Sequence, residues 1–294
     1  MVVNLAPYAA GGGSAEIKTI LGGFIIKGFL GLKTLVVKAV CLPLMVASGL
    51  AVGKEGPMVH VAVCVGNCVG RGFGWFRGSE ARKREVMSAA AGAGIAVAFG
   101  APIGGVLFSL EELSTFFPIK TMVRSFFCAL VSGVTLSIID PYRGKRVLYQ
   151  VSYSRDWHLF EIVFFLILGI FGGITGALAI RFNILVQQFR RRTAWLKDHP
   201  VREVAGLSLV TAGVCYLNVY TRADASELLE NLFKECRESD FHGVCGGVVD
   251  DGVTFCRVTA ASRGWVVASL LVAVVLRWAL TVVTFGVKVP AGIL

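Results

Sequence analysis

The residues with the greatest capacity for chemistry are Gly-Lys-Glu-Gly-Pro at positions 53–57. They lie between two runs without Asp, Glu, Lys or Arg, which are Ala39–Gly53 and Gly56–Gly70. Runs of this length favour tilted membrane spans or half-helices that stop inside the protein. An ionisable side chain at membrane depth is costly and is commonly functional, so Glu55 is the first candidate functional residue.

A helix that begins at this motif would make it an anion site. Pro57 suits the first turn of a helix, where its missing N–H would have no partner. The amides near Lys54, Glu55 and Gly56 would then lie free at the positive end of the helix, where anions bind. The carboxylate of Glu55 would compete there with a soluble anion and would leave when protonated. This one residue would act as both gate and proton carrier.

Two other interpretations of the motif fit the sequence less well. A surface turn with a solvated glutamate does not agree with the uncharged runs on both sides. A nucleotide-binding loop over Gly49–Lys54 is one residue too short, and Glu55 stands where such a loop requires Ser or Thr. We therefore favour the anion site.

Two further segments carry weaker signals. Glu111 and Glu112 close the apolar stretch Gly104–Leu110, and adjacent acids at a helix end are commonly just a solvated terminus. Ala9–Glu16 is a glycine-rich turn that leads into a helix, which is typical of a second anion site at a helix N-terminus.

The composition indicates that membrane-spanning helices position these residues. The chain has 294 residues, of which 55% are hydrophobic and 16% charged, whereas soluble domains are about a quarter charged. Its mean hydropathy is +0.71. Three long runs have no charged residue: Val86–Leu110, Ile162–Ile180 and Val204–Thr221. We predict an all-α, polytopic membrane protein with tilted, broken and re-entrant helices, interrupted at Gly53–Pro57 and near Gly100–Pro102.

The same pattern predicts the order of elements along the chain. A short helix follows the glycine-rich turn within residues 1–31, a basic loop covers 71–85, and one long helix covers 160–196. The other predicted helical segments are 33–70 and 86–117, each holding two helices, and the spans 121–139, 201–221 and 264–287.

The net charge of +10 is consistent with a membrane protein rather than with nucleic-acid binding. Basic residues cluster between apolar runs at Arg71–Arg84 and Arg181–Arg202, as the positive-inside rule predicts for cytosolic loops. No basic region is interleaved with stacking aromatic residues, so we expect no nucleic-acid partner. The sequence contains no nucleophile–base pair or metal-ligand cluster, so we expect neither an enzyme nor a cofactor.

Three cysteines, Cys236, Cys245 and Cys256, lie in an acid-rich segment, 222–262, that we place on the non-cytosolic side. A disulfide between two of the three is consistent with that environment, and the sequence leaves the pairing open. A zinc site that also uses His242 is the alternative, but no CxxC-type spacing supports it.

Three segments together resemble the CLC chloride channel and transporter family. They are GKEGP at 53–57, AFGAPIGGVLFSLEE at 98–112 and FGVKVPAGI at 285–293. They occur in the family's order and at family-like spacing, and the similarity is greatest to the intracellular exchanger branch. The resemblance implies a fold of two inverted halves that enclose an anion site.

The resemblance also implies roles for single residues. Glu55 matches the gating glutamate of the family, and Glu112 matches the internal proton glutamate of its exchangers. Channel members generally lack an acid at the second position, so Glu112 favours proton-coupled exchange. Gly292 and Ile293 match the start of a motif whose amides bind the central anion, and Leu294 stands where the family usually has Phe.

The first glycine-rich loop departs from the family pattern. Gly12 occupies the position of a serine whose hydroxyl contacts the anion, and Ser14 lies two residues further on. The loss of one neutral hydrogen bond costs about 1 kcal/mol, so amides and helix dipoles can still hold an anion. The full set of anion-binding residues that we predict is Gly12, Gly13, Lys54, Gly56, Pro57, Ile293 and Leu294.

We expect voltage-dependent chloride transport, by chloride/proton antiport across an endosomal, Golgi or vacuolar membrane. The expected partners are chloride, protons, membrane lipid and a second copy of the chain. Two alternatives stay open: a passive chloride channel of the same family, and a non-transporting fragment that associates with full-length subunits. Residues 1–294 are expected to form a partial membrane domain, incomplete at both ends and without CBS domains.

Overall fold

The computed structural model of the chain describes residues 2–114, 118–139, 158–222 and 263–292, together with Leu228 and Leu232. These residues are mainly helical, as predicted. A 3₁₀ turn covers Pro7–Ala9 and a π-helical turn covers Ser109–Leu113. The α-helices are α1 Val2–Leu5, α2 Ser14–Leu21, α3 Leu32–Ala47, α4 Glu55–Gly72, α5 Gly74–Arg77, α6 Glu80–Phe99, α7 Pro102–Phe108, α8 Ile119–Ile139, α9 Glu161–Arg192, α10 Ala194–Asp198, α11 Pro200–Leu217, α12 Val219–Arg222 and α13 Arg263–Thr284.

The chain divides into two compact units. The first contains Met1–Leu148 and Phe285–Leu294, and the second contains Tyr149–Thr284. The first unit therefore includes the glycine-rich segments near both ends of the chain.

Small residues bring the helices of the first unit close together. Helix α6 packs against α4, α7 and α8. A Cβ atom added to Gly94 would lie 2.8 Å from the Cβ of Ala62, and one added to Gly105 would lie 2.3 Å from the carbonyl oxygen of Gly92. Larger residues would force these helices apart, so the glycines serve packing, as is common in membrane helices.

The predicted break near Gly100–Pro102 is confirmed. Helix α6 ends at Phe99, and Gly100 follows it in the left-handed conformation, with φ of 68°. Glycine adopts this conformation without the steric cost that other residues incur. Pro102 then begins α7, where its fixed φ suits the first turn.

Two predicted boundaries were wrong. The segment 71–85 is not a basic loop, because α5 lies within it and α6 begins at Glu80. Glu80 lies in the first turn of α6 and pairs with Lys83 one turn later, and both features favour a helix start. The long helix predicted over 160–196 ends at Arg192, because Thr193 is extended.

Among the described residues, three helices are long and apolar enough to cross a membrane: α8, α9 and residues Gly264–Thr284 of α13. None of the most apolar window of α9 is buried within the protein. Its exposed side chains are largely leucine, isoleucine and phenylalanine, which require an apolar environment. This exposure agrees with a helix that faces lipid or other apolar protein surfaces.

Polar side chains of α9 hold the carboxyl end of α13 within the second unit. The Nδ2 of Asn183 donates to the carbonyl oxygen of Val282 at 2.8 Å, and the guanidinium of Arg190 donates to the carbonyl of Val283. Arg190 also forms an ion pair with Glu203, and these side chains are 13% and 14% exposed. The last carbonyls of a helix have no partner inside the helix, so these contacts satisfy them.

We expect Arg190→Met to destabilise the protein by about 2 kcal/mol, because it leaves the largely shielded Glu203 carboxylate without its cation. The double variant Arg190→Met/Glu203→Met should recover part of this loss, since no isolated charge remains. Thermal unfolding in detergent micelles measures both. Arg191→Met, which changes an exposed neighbour, is the matched control, and equal melting temperatures for the two single variants would contradict the prediction.

Candidate anion site

Three glycine-rich segments meet in the first unit. Gly53 and Gly292 form an isolated antiparallel bridge, in which each N–H donates to the other's carbonyl oxygen at 2.9 Å. The N–H of Gly11 donates to the carbonyl oxygen of Val289 at 2.8 Å. The turn at residues 11–13, the motif at 53–57 and the segment 289–292 are therefore held side by side by backbone hydrogen bonds.

The absence of side chains allows this close approach. A Cβ atom added to Gly56 would lie 3.3 Å from the Cα of Gly12, and one added to Gly12 would lie 3.6 Å from the Cα of Gly292. Gly13 has φ of 91° and caps α2. A Cβ at Gly13 would also lie 2.7 Å from the Nδ1 of His60, so glycine is required there for conformation and for space.

Helix α4 points its N-terminus at this junction. Glu55 is its first residue, Lys54 is its N-cap, and Pro57 is fully buried in its first turn. The first N–H groups of a helix have no intrahelical acceptor and carry partial positive charge. The Oε2 of Glu55 accepts a hydrogen bond from the N–H of Lys54 at 3.0 Å. The helix end thus holds the carboxylate of its own first residue.

A buried lysine, which sequence reasoning missed, lies beneath the glycine turn. Lys38 of α3 is fully buried, and its Nζ donates to the carbonyl oxygens of Gly11 and Gly12 at 2.9 and 3.2 Å. Its third polar contact is the Nδ1 of His60, at 2.7 Å. The available signal was a lysine inside an apolar helix, since ionisable residues at membrane depth are rare.

The lysine orients the amides of the turn. In a trans peptide the C=O and the following N–H point in opposite directions. Because Lys38 draws the carbonyls of Gly11 and Gly12 towards itself, the N–H groups of Gly12 and Gly13 point away from it. Within the described residues, neither of these N–H groups donates to a protein acceptor. Successive free N–H groups of this kind form an anion-binding concavity.

Glu112 lies on a different element, the π-helical turn that follows α7. Its side chain is 59% exposed, and its Oε1 lies 3.7 Å from the Nζ of Lys18 on α2. Glu111 is exposed as well. Turns of π-helix occur frequently at functional sites.

Some predicted residues lie outside the described part of the chain. They are the anion-site residues Ile293 and Leu294 and the loop cysteines Cys236, Cys245 and Cys256, with His242. Residues 285–292 of the family's third motif are described, and Ala291 and Gly292 within it are buried. Ser14 begins α2, directly after Gly13.

Free amides beside a helix N-terminus, within a fold of apolar helices, are an arrangement with which membrane proteins bind anions. A family model described as voltage gated chloride channel matches residues 1–294. The chain belongs to this family, which confirms the resemblance drawn from the three motifs.

Curated relatives agree with this membership. The chain is 54% identical over 294 residues to a probable chloride channel protein of Mycosarcoma maydis, and it covers 25% of that protein. It is 49% identical over 304 residues to the H(+)/Cl(-) exchange transporter 5 of Rattus norvegicus, and it covers 36% of that protein. The whole chain aligns in both cases, so it spans about a quarter and about a third of these relatives.

Two solved structures share the fold. A eukaryotic CLC transporter matches 99% of this chain and 45% of its own, with a TM-score of 0.74 and 24% identity. A slow cyanobacterial Cl-/H+ antiporter matches 99% of this chain and 60% of its own, with a TM-score of 0.70 and 21% identity. The predicted all-α membrane fold of CLC type is confirmed.

Adjacent glycines of the first turn should respond differently to substitution. Gly12→Ser should fold normally, because its Cβ would make ordinary contacts of 3.6–3.9 Å. Its new hydroxyl should strengthen chloride binding about fivefold, which corresponds to about 1 kcal/mol for one hydrogen bond. Gly13→Ala should lose about 1–2 kcal/mol of stability from the left-handed backbone alone.

Thermal unfolding and chloride calorimetry in lipid nanodiscs measure these effects. Gly11→Ala is a useful comparison, because Gly11 has φ of 73° but nothing within 4 Å of an added Cβ. It isolates the conformational cost from the clash with His60. A Gly13→Ala variant as stable as the wild type would contradict the described turn.

Proposed function

We propose that this chain forms part of a chloride/proton exchanger of an intracellular membrane. The observation that carries the proposal is the junction of three glycine segments at the N-terminus of α4, where the Glu55 carboxylate binds the amide of Lys54. The name of the rat relative, an H(+)/Cl(-) exchange transporter, supports it.

Chloride would bind to amides rather than to a charged side chain at the centre. The donors would be the N–H groups of Gly12 and Gly13 and the first N–H groups of α4. These donors are fixed in direction, and none of them belongs to a mobile charged side chain. The ammonium of Lys38, on the opposite side of the turn, adds a positive potential. With Gly12 in place of a serine, the backbone would carry more of the binding than a side chain does.

Glu55 would act as an internal competitor of chloride. Its carboxylate is held at the positive end of α4, where a free anion would also bind. Protonation removes its charge and therefore most of its attraction to the helix end. Chloride entry and protonation of Glu55 would then favour each other, which is the coupling that exchange requires.

Glu112 would exchange protons with water. Its exposed side chain and its loose pairing with Lys18 leave it accessible to water. An acid at this position supports coupled exchange over the alternative of a passive channel. Voltage dependence, a dimeric assembly within lipid, and an endosomal, Golgi or vacuolar membrane complete the proposal.

We expect Glu112→Ala to abolish proton movement and to leave chloride flux intact, because it removes the proton-exchanging carboxylate but no anion ligand. The assay uses a chimera in which this chain replaces the matching segment of the rat exchange transporter 5, reconstituted in liposomes. A pH dye follows protons, and a chloride electrode follows chloride. Glu111→Ala, which removes the neighbouring exposed acid, is the matched control.

The outcomes distinguish the alternatives. Undiminished proton movement in Glu112→Ala would refute the assigned role of this residue. A wild-type chimera whose reversal potential does not depend on pH would favour a passive channel. The chain tested alone, without the rest of the exchanger, shows whether it transports or only associates with full-length subunits.

A further inference from the structure

His60 occupies an unusual position directly below the anion site. It lies on α4, in the turn after Glu55, and it is fully buried. Its Nδ1 lies 2.7 Å from the Nζ of Lys38, and its Nε2 lies 3.1 Å from the carbonyl oxygen of Phe29. The rings of Phe29 and His60 stack at a centroid distance of 4.0 Å with 11° between their planes. Both ring nitrogens therefore have partners, and the ring cannot turn freely.

The partners determine the protonation pattern of the pair. An ammonium has three donors and no acceptor, and a carbonyl oxygen only accepts. If Lys38 carries its charge, two of its protons go to the carbonyls of Gly11 and Gly12, and the third goes to the Nδ1 of His60. The Nε2 of His60 must then carry hydrogen and donate to Phe29. Since an amine is far more basic than an imidazole, the single positive charge stays on Lys38.

We propose that His60 is a positioning residue of the chloride site. It accepts the third proton of the Lys38 ammonium and thereby fixes this cation under the Gly11 and Gly12 carbonyls. Those carbonyls in turn set the direction of the amides of Gly12 and Gly13. The inference rests on the proposed function, because it assigns chloride to these amides.

Position 60 requires a side chain that accepts a hydrogen bond from Lys38 at one end and donates a hydrogen bond to the Phe29 carbonyl at the other. Glutamine can do both, since its carbonyl can accept from Lys38 and its amide can donate to Phe29. Leucine has a similar volume but can do neither. Loss of the acceptor would leave a buried ammonium with one unsatisfied donor, and the cation would no longer be fixed.

A purely structural role for His60 is the competing explanation. His60 anchors the loop that precedes α3 through Phe29, and Asn67, two turns along α4, anchors the same loop by donating to the carbonyl of Leu30 at 2.8 Å. Asn67→Leu therefore loosens this loop without removing a contact of Lys38. It is the matched control for His60→Leu.

The test is chloride calorimetry on the purified chimera in nanodiscs. We expect His60→Leu to weaken chloride binding about tenfold, His60→Gln to stay within about twofold of wild type, and Asn67→Leu to change it little. In a Lys38→Met background, His60→Leu should have no further effect, because the cation that it positions is gone. Three results would each overturn the proposal. The first is unchanged chloride binding in a folded His60→Leu variant, and the second is an equal loss of affinity in His60→Leu and Asn67→Leu. The third is a Lys38→Met/His60→Leu variant in which the two losses of affinity multiply.

A second measurement does not depend on chloride binding or transport. Solid-state ¹⁵N NMR of histidine-labelled chain should show His60 with a protonated Nε2 and a bare Nδ1, assigned by comparison with His60→Gln. Lys38→Met should shift the Nδ1 resonance. A protonated Nδ1 on a neutral ring would overturn the inference even if His60→Leu fails to fold. If His60 has the expected protonated Nε2 but the chimera does not exchange protons, the result would count against the proposed function and not against the role of His60.

Discussion

The buried ammonium of Lys38 is the interaction on which the geometry of the candidate site depends. A charge removed from water is tolerated only when hydrogen bonds replace its hydration. Here the replacements are two consecutive carbonyls and one imidazole nitrogen. These partners belong to the glycine turn and to α4, so satisfying one cation joins α3, α4 and the turn. In the described part of the chain, the outward-facing amides of the turn have no protein acceptor.

Close packing of glycines is the second constraint, and it acts together with the first. Hydrogen bonds between Gly53 and Gly292 require two backbones to approach without intervening side chains. The space for a Cβ atom differs sharply between two adjacent glycines. A Cβ at Gly12 would make ordinary contacts, whereas one at Gly13 would clash with His60. The position at which the family carries serine is thus also the position where this turn has room for a side chain. A serine at position 12, as the family resemblance implies for other members, would therefore add a hydroxyl without a clash at its Cβ.

Local chemistry explains which features the sequence predicted. The break at Gly100–Pro102 and the start of α4 at Glu55 depend on residues within a few positions of the break, so both were predictable. The pairing of Gly53 with Gly292 joins segments that are far apart in the sequence, so the family resemblance could assign both segments to an anion site but not the hydrogen bonds between them. The contacts of Lys38 were not predictable, because two of its three partners are backbone carbonyls of a distant turn, which no side-chain pattern reveals. The helical start at Glu80 differs from the predicted loop, because the basic residues Arg82, Lys83 and Arg84 lie on the first turns of α6.

Glu55 and Glu112, the two acids of the proposed exchange, have different surroundings. The proposed coupling of chloride to proton transport depends on this difference. In the proposed mechanism Glu55 lies where chloride would bind, so its charge would change the affinity of the anion site directly. Glu112 lies on an exposed turn beside Lys18, where water reaches it and where its charge state affects an ion pair of about 0–1 kcal/mol. Under the proposed exchange, breaking this ion pair would cost the fold little. A proton that reached Glu55 would remove the competitor of chloride, so transport of one ion would be linked to transport of the other.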